Sequence, residues 1–476
     1  MIALRIVSSP QSFRRVVRRQ FISLWLYCTL LIVGSSLIPD SSSLFTVMIQ
    51  QKSLPLQGQP ALYTILLTQA LSMIGTRMST IGLGLWLFEQ TRTTTPLLLV
   101  AFFLEVPGML LGSVAGAVVD RVPRKPVLIL TDAGLALSTV VLLTSIVTDH
   151  FSVALLYGIG LLQGTLTIFQ SPASEASLSL MTPAQGRDRI NGLRQMLFPF
   201  AGIVAPALTG LLYAMGGIAA VFAVDLATFV IAASAVMLMH IPQPPVAAND
   251  EASTLWQAWR AGLAFLIAQP GLLALCINTV ISNYLLNGSL EITIPYVVTI
   301  TGSEVITGLV LAVMSIGAFT GGAIIAVRTT VRNRVQWMLA GSGVVGMMYI
   351  VYGVVRSPWL VAAALFVLMI PLPMGGALMQ SLLQTRVPPL LQGRIFAIHA
   401  QLGFIGSTAS FLSIGPLVDR LLEPSVQRSW WSMVVPIVGK EAGAGMALLM
   451  VMTGLLMGIM TAILWLIPAV RQLDEP

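Results

Sequence analysis

An all-α polytopic membrane protein is the fold class this sequence predicts, and three observations predict it. Only 9% of its 476 residues are Asp, Glu, Lys or Arg, against roughly 25% in soluble domains. Apolar residues make up 56% of the chain and the mean hydropathy is +0.89, more apolar side chain than a core of this size can hide. Stretches of about 20 apolar residues, the length that crosses a bilayer as helix, recur between short charged or Pro/Gly-marked breaks. Helices follow because lipid-facing backbone must satisfy its own polar groups, and the runs lack the period-2 alternation of barrel strands.

Those breaks divide the chain into twelve spans near 61–88, 95–118, 126–147, 151–171, 192–214, 217–240, 261–287, 303–327, 335–355, 358–380, 395–418 and 443–468. With the first span starting in the cytoplasm, that side holds thirteen cations: Arg121, Arg124, Lys125, Arg187, Arg189, Arg194, Arg260, Arg328, Arg332, Arg334, Arg386, Arg394 and Arg471. The other side holds five, Arg92, Arg356, Arg420, Arg428 and Lys440. This asymmetry obeys the positive-inside rule and puts both ends of the bundle in the cytoplasm, in the plasma (inner) membrane. The formal charge of +7 is therefore read as topology and not as a nucleic-acid surface. Cys28 and Cys276 lie in apolar runs, as small hydrophobes do, with no disulfide or metal pattern.

Residues 1–47 stand apart. Phe21 to Ile38 is a further apolar run preceded by Arg14, Arg15, Arg18 and Arg19. A true span there would put the four arginines outside, and a cleaved signal peptide would invert every later loop. The expectation is an over-extended start with Met48 as initiator, the alternative being an interfacial anchor.

An internal repeat orders the rest. Gly108 to Lys125 aligns without gaps with Gly317 to Arg334, pairing Gly108 with Gly317 and Gly112 with Gly321. Gln170-Ser171 then matches Gln380-Ser381, and Gln185-Gly186-Arg187 matches Gln392-Gly393-Arg394. The expected organisation is two six-helix halves in parallel orientation, 48–240 and 261–476, joined by a proline-marked linker over 241–260.

The segment Gly112-x-x-x-Gly116-x-x-x-Asp120-Arg121-x-x-Arg124-Lys125, between spans two and three, resembles the loop signature of the major facilitator superfamily. The resemblance covers about residues 61 to 470. It includes the Phe169-Gln170-x-Pro172-Ala173 exit from span four and the Arg189-x-Asn191-Gly192 approach to span five. Gly202-x-x-x-Ala205-Pro206-x-x-Thr209-Gly210 looks like the antiporter motif of drug/proton exporters, with Ala205 and Thr209 where glycines are usual. Together these segments look most like the drug and siderophore efflux branch that holds enterobactin exporters and macrolide efflux proteins. The resemblance implies alternating access, a small-molecule substrate and protons as the coupling ion.

The loop motif also has a physical reading. Gly108, Gly112 and Gly116 recur every four positions and form one small-residue face that admits a neighbouring helix. Asp120 can accept from an opposed helix N-terminus, while Arg121, Arg124 and Lys125 bridge cytoplasmic carboxylates or lipid phosphates, which makes a cytoplasmic gate. The plain alternative is that these charges set topology only. In the second half Thr329 and Thr330 replace Asp120 and Arg121, so that copy is expected to keep topology and lose the switch.

Arg77, Glu105, Asp132, Asp225 and Glu291 fall within or at the ends of spans, where an ionised group costs about 2.5–3.5 kcal/mol on insertion scales. Arg77 is expected to face the cavity and pair with Glu105 or Asp132, or to bind an anionic substrate; a register-fixing ion pair is the alternative. Asp132 is read as a brace for the basic loop, and Asp225 as a carboxyl able to carry a proton. Asn283, Asn287 and Glu291 share one helical face and are expected to line the cavity, with interhelical glue the alternative. Trp430-Trp431 reads as a lipid-interface marker.

No G-x-x-x-x-G-K-[ST] phosphate loop, H-E-x-x-H or G-x-S-x-G occurs, so an enzyme is not expected, and neither is a cofactor or metal. The expected function is secondary active export of a hydrophobic or amphipathic small molecule, proton-coupled, by a monomer in the lipid bilayer. Uniport, uptake or lipid transport on the same fold stays open, as does a non-transporting receptor or scaffold.

Overall fold

The computed structural model describes residues 59–119, 122–181, 187–238, 255–327 and 331–474, and among them every regular element is helical. The order is α1 (Gln59–Thr91), α2 (Thr95–Val119), α3 (Arg124–Val147), α4 (Val153–Met181), α5 (Arg187–Leu238), α6 (Leu255–Ile267) and α7 (Pro270–Glu291), then α8 (Thr293–Thr301), α9 (Glu304–Ala326), α10 (Arg334–Val354), α11 (Pro358–Met369), α12 (Pro371–Arg386) and α13 (Pro389–Pro416). After a run of short turns comes α14 (Ala444–Leu466). The expected initiator Met48, Asp120, Arg121, Thr329, Thr330 and most of the expected linker lie outside the described residues.

Ten stretches among the described residues are long and apolar enough to cross a membrane. One of them, Phe200–Met237, lies in α5, whose 52 residues break at Gly216 and Gly217. Gly217 has φ +61 and ψ −161, a conformation that only glycine adopts without strain. The break makes two arms of one helix. The expected twelve crossings are reached only by counting those arms separately and adding α1, which is not among the ten.

Elements begin and end where backbone chemistry requires. Pro270, Pro358, Pro371 and Pro389 open α7, α11, α12 and α13, the first-turn position at which a missing N–H costs nothing. This corrects the seventh span expected at 261–287. The helix stops at Ile267, α7 restarts at Pro270, and the apolar stretch runs through α8 to Thr301. Gly302 closes α8 in the left-handed region, and the Ser303 side chain caps α9 by accepting from the Ile306 N–H.

The pairing of helices repeats along the chain. α4 packs on α2 and α3, as α11 and α12 pack on α9 and α10. Leu67, Leu110, Met215 and Leu466 stand exposed, as lipid-facing side chains must. Two apolar clusters join the halves. One gathers Met78, Leu85 and Phe222 of the first half with Ile294, Val298 and Leu311 of the second. The other brings Leu98 of α2 to Tyr296, Tyr349 and Tyr352. Trp430 and Trp431 differ from the expected interface pair: Trp430 is exposed, but Trp431 is buried, its indole N–H donating to the Gly439 carbonyl at 2.9 Å. A buried indole finds a partner inside the protein, whatever its neighbour does.

The basic end is the one at which α3, α10 and α13 begin, and the far end is the one at which α2 and α9 begin.

Candidate functional site

A cavity of about 1140 Å³ is enclosed mainly by α1, α2, α3, α4 and the second arm of α5, with Glu291 and Phe411 contributed by the second half. Its wall contains all five intramembrane charges expected from the sequence, Arg77, Glu105, Asp132, Asp225 and Glu291. Most of the remaining wall is apolar or hydroxyl-bearing, a surface suited to ligands that are themselves partly apolar.

Several of those charges have partners that sequence spacing did not indicate. Glu291 on α7 attracts Arg77 on α1, and Glu105 on α2 repels Glu291, so the three form one electrostatic group drawn from both halves. Glu105 accepts from the hydroxyl of Ser407 on α13. The Gln170 side-chain amide on α4 donates to Asp132 within the cavity wall.

Asp225 is 2% exposed and accepts from the Ser79 hydroxyl at 2.6 Å, while its Oδ1 has no hydrogen-bond partner. Gly75 makes room for it, since a Cβ there would sit 2.8 Å from that Oδ1 and 2.2 Å from the Thr228 hydroxyl. Asn283 and Asn287 are not in the wall of this cavity. Their amides donate along their own helix, Asn283 to the Thr279 carbonyl at 2.8 Å and Asn287 to the Asn283 carbonyl and side chain at 2.9 and 3.0 Å. Only Glu291 of that polar face reaches the cavity.

The two glycine motifs behave differently. At Gly112 a Cβ would meet nothing within 4 Å, and at Gly108 it would meet the Phe404 ring at 3.2 Å. The close helix approach lies in the second copy instead, where Cβ positions at Gly317 and Gly321 fall 2.2 and 1.9 Å from the carbonyls of Phe366 in α11 and of Ile370 just past its end. Gly202, Pro206 and Gly210 all face α9. A Cβ at Gly202 would lie 3.2 Å from the Ser315 hydroxyl and one at Gly210 would lie 2.8 Å from the Glu304 carbonyl, while the Pro206 carbonyl lies 2.4 Å from where a Gly308 Cβ would stand. Thr209 is buried, with its hydroxyl donating to Ala205 at 2.8 Å and lying 3.5 Å from the Met78 carbonyl of α1. That departure from the antiporter pattern thus falls on the α1 side, away from the seam with α9.

In the loop motif, Lys125 donates to the Met237 carbonyl at 3.0 Å, the last turn of α5. It therefore engages the negative end of a helix dipole. Ser79 and Ser407, which hold Asp225 and Glu105, carry no distinguishing pattern in a chain rich in hydroxyl side chains, whereas Gln170 stands in the span-four exit motif and in the internal repeat.

The fold and this cavity define a polytopic membrane transporter. The chain belongs to the Major Facilitator Superfamily, whose sequence signature matches residues 65–411. It is similar to macrolide efflux protein A of Streptococcus pyogenes, at 23% identity over 78% of this chain and 91% of that one. Multidrug efflux pump Tap of Mycolicibacterium fortuitum is 25% identical over 67% and 80%. Among solved structures, a bacterial homologue of the human lysosomal transporter Spinster, inward-facing and occupied, superimposes with a TM-score of 0.65 at 15% identity over 85% and 95%. The nucleoside transporter NupG does so at 0.63 and 13% over 86% and 99%. These proteins are transporters, and the chain is not an enzyme.

Proposed function

We propose that this protein exports a hydrophobic or amphipathic small molecule from the cytoplasm by proton-coupled alternating access, as a monomer in the plasma membrane with its basic end in the cytoplasm. One observation carries the reading: five charged side chains from both halves line a single cavity, and one of them, Asp225, keeps a carboxyl oxygen without a partner. Charges that are expensive in a bilayer are retained where they touch substrate or ions.

The efflux relatives support the direction of transport, and the apolar share of the wall supports an amphipathic substrate. Arg77, Glu105 and Glu291 are the substrate or coupling cluster, because movement of the halves changes their separation and hence their interaction. Asp225 is the first candidate for the proton carrier. Gly202, Pro206 and Gly210 form a sliding seam against α9. Gly112, Gly116, Asp120, Arg121, Arg124 and Lys125 form the cytoplasmic gate.

The test is an efflux assay over a panel of amphipathic compounds in cells lacking background pumps, with and without a protonophore. Protonophore-sensitive export of at least one compound is expected. Export that ignores the protonophore removes proton coupling, and absence of export across the panel turns the reading towards uptake, lipid transport or a receptor.

A further inference from the structure

At the far end a carboxylate of the second half closes on a helix of the first. Asp419, three residues past α13, accepts four hydrogen bonds from the start of α2: from the Thr94 N–H at 2.9 Å and hydroxyl at 3.0 Å, and from the Thr95 N–H at 2.6 Å and hydroxyl at 2.5 Å. Each carboxylate oxygen takes one backbone and one side-chain donor. This is an N-terminal helix cap supplied from more than 300 residues away.

Several features fit the contact to this place. The first turn of α2 presents unpaired N–H groups and the positive end of its dipole, and a charged acceptor satisfies both at once. Pro96 has no N–H, so the donors nearest the helix start are those of Thr94 and Thr95. Gly415 lets α13 approach, since a Cβ there would lie 2.7 Å from the Thr95 Cα. Thr94 is 2% exposed, and Thr95 and Asp419 are half-buried, so the contact is partly shielded from water.

The sequence repeats the device. Gly415-Pro-Leu-Val418-Asp419-Arg420 has the pattern of Gly116-Ala-Val-Val119-Asp120-Arg121, whose first four residues are the last of α2 at the basic end. Because α2 and α13 pack antiparallel, the two copies mark opposite ends of one helix pair.

We propose that Asp419 is the lock of the far end: it holds the two halves together there, and its release from Thr94 and Thr95 is a required step of transport. A cap made across a seam between moving halves stabilises only the state in which that seam is shut. Opening exposes the α2 terminus and the cavity wall beside it, including Leu97.

The test uses the full chain with Cys28 and Cys276 replaced, reconstituted in liposomes. A single cysteine at Leu97 reports access from the far end to a membrane-impermeant maleimide. Asp419→Asn keeps the shape and removes the charge, so labelling should rise on the order of tenfold. Should that variant fail to fold, Thr94→Cys with Asp419→Cys provides an independent arm: the oxidised cross-link should abolish transport, and reduction should restore it. Wild-type labelling in Asp419→Asn, or transport at the wild-type rate through the cross-linked protein, overturns the lock. The lock presupposes alternating access, but the labelling readout needs neither substrate nor protons, so it can fail or stand apart from the export reading.

Discussion

Glu105 on α2 accepts a hydrogen bond from Ser407 on α13, so a carboxyl of the first half is held by a buried hydroxyl of the second. The bond stabilises one arrangement of the halves over any in which α2 and α13 separate. Leaving a buried acceptor without its donor costs about 1–3 kcal/mol. Ser407→Ala should therefore shift the conformational equilibrium away from the described state by a factor on the order of 5 to 150. Distance distributions between spin labels on α2 and α13 measure it, and an unchanged distribution would show that the bond does not bias the halves.

A second prediction uses two adjacent glycines. Gly321 abuts the Ile370 carbonyl, with no room for a Cβ, whereas Gly322 faces open space. Alanine is the better helix former by roughly 1 kcal/mol, which should make Gly322→Ala neutral or stabilising. Gly321→Ala should instead force α9 and α11 apart and cost about 1–3 kcal/mol. Thermal unfolding of the two purified variants compares them directly, and equal melting temperatures would contradict the packing.

The seam between α5 and α9 gives a third. Gly308 lies against the Pro206 carbonyl and Gly210, backbone to backbone across the two halves. Gly308→Ala should hold the halves apart near the far end and favour its opening, lowering export several-fold at normal surface expression. Reduced export that merely tracks reduced protein would return Gly308 to a folding role.

Much of this architecture was legible because composition, span length and repeated glycines are local properties. The five intramembrane charges could be found in the same way, since a bilayer makes each of them conspicuous. Their partners could not. Glu105 meets Ser407, more than 300 residues away, and Asp132 meets Gln170 of α4. Both depend on the rotation of one helix about its axis relative to another, which no single segment encodes. Asn283 and Asn287 illustrate the converse: four-residue spacing puts them on one face, but that spacing also lets each amide bond back along its own helix. Gly112 shared its pattern with Gly321, yet only Gly321 has a helix backbone against it, because a small-residue face permits close approach without compelling it.

The proton prediction rests on Asp225. Ser79 donates to one carboxyl oxygen, and the other, Oδ1, is buried with no partner, packed where Gly75 leaves space. A carboxyl held on one side and vacant on the other can take a proton without dismantling its surroundings, and it borders the cavity that substrate would use. Loading from the acidic outer side and release to the cytoplasm would drive export by mass action. Asp225→Asn keeps the shape and mimics the permanently protonated form. It should bind substrate and support downhill exchange, yet lose accumulation against a gradient when only a pH difference drives transport. Ser79→Ala tests the mounting separately: it should change the pH dependence of export and leave binding near wild type. Glu291→Gln is the comparison, because Glu291 faces Arg77 and Glu105, and its loss should disturb substrate affinity as well as coupling. Counterflow and pH-jump uptake in proteoliposomes separate these outcomes. Uphill transport at the wild-type rate in Asp225→Asn would move the proton to Glu105 or Glu291, the two carboxyls whose separation must change as the halves move.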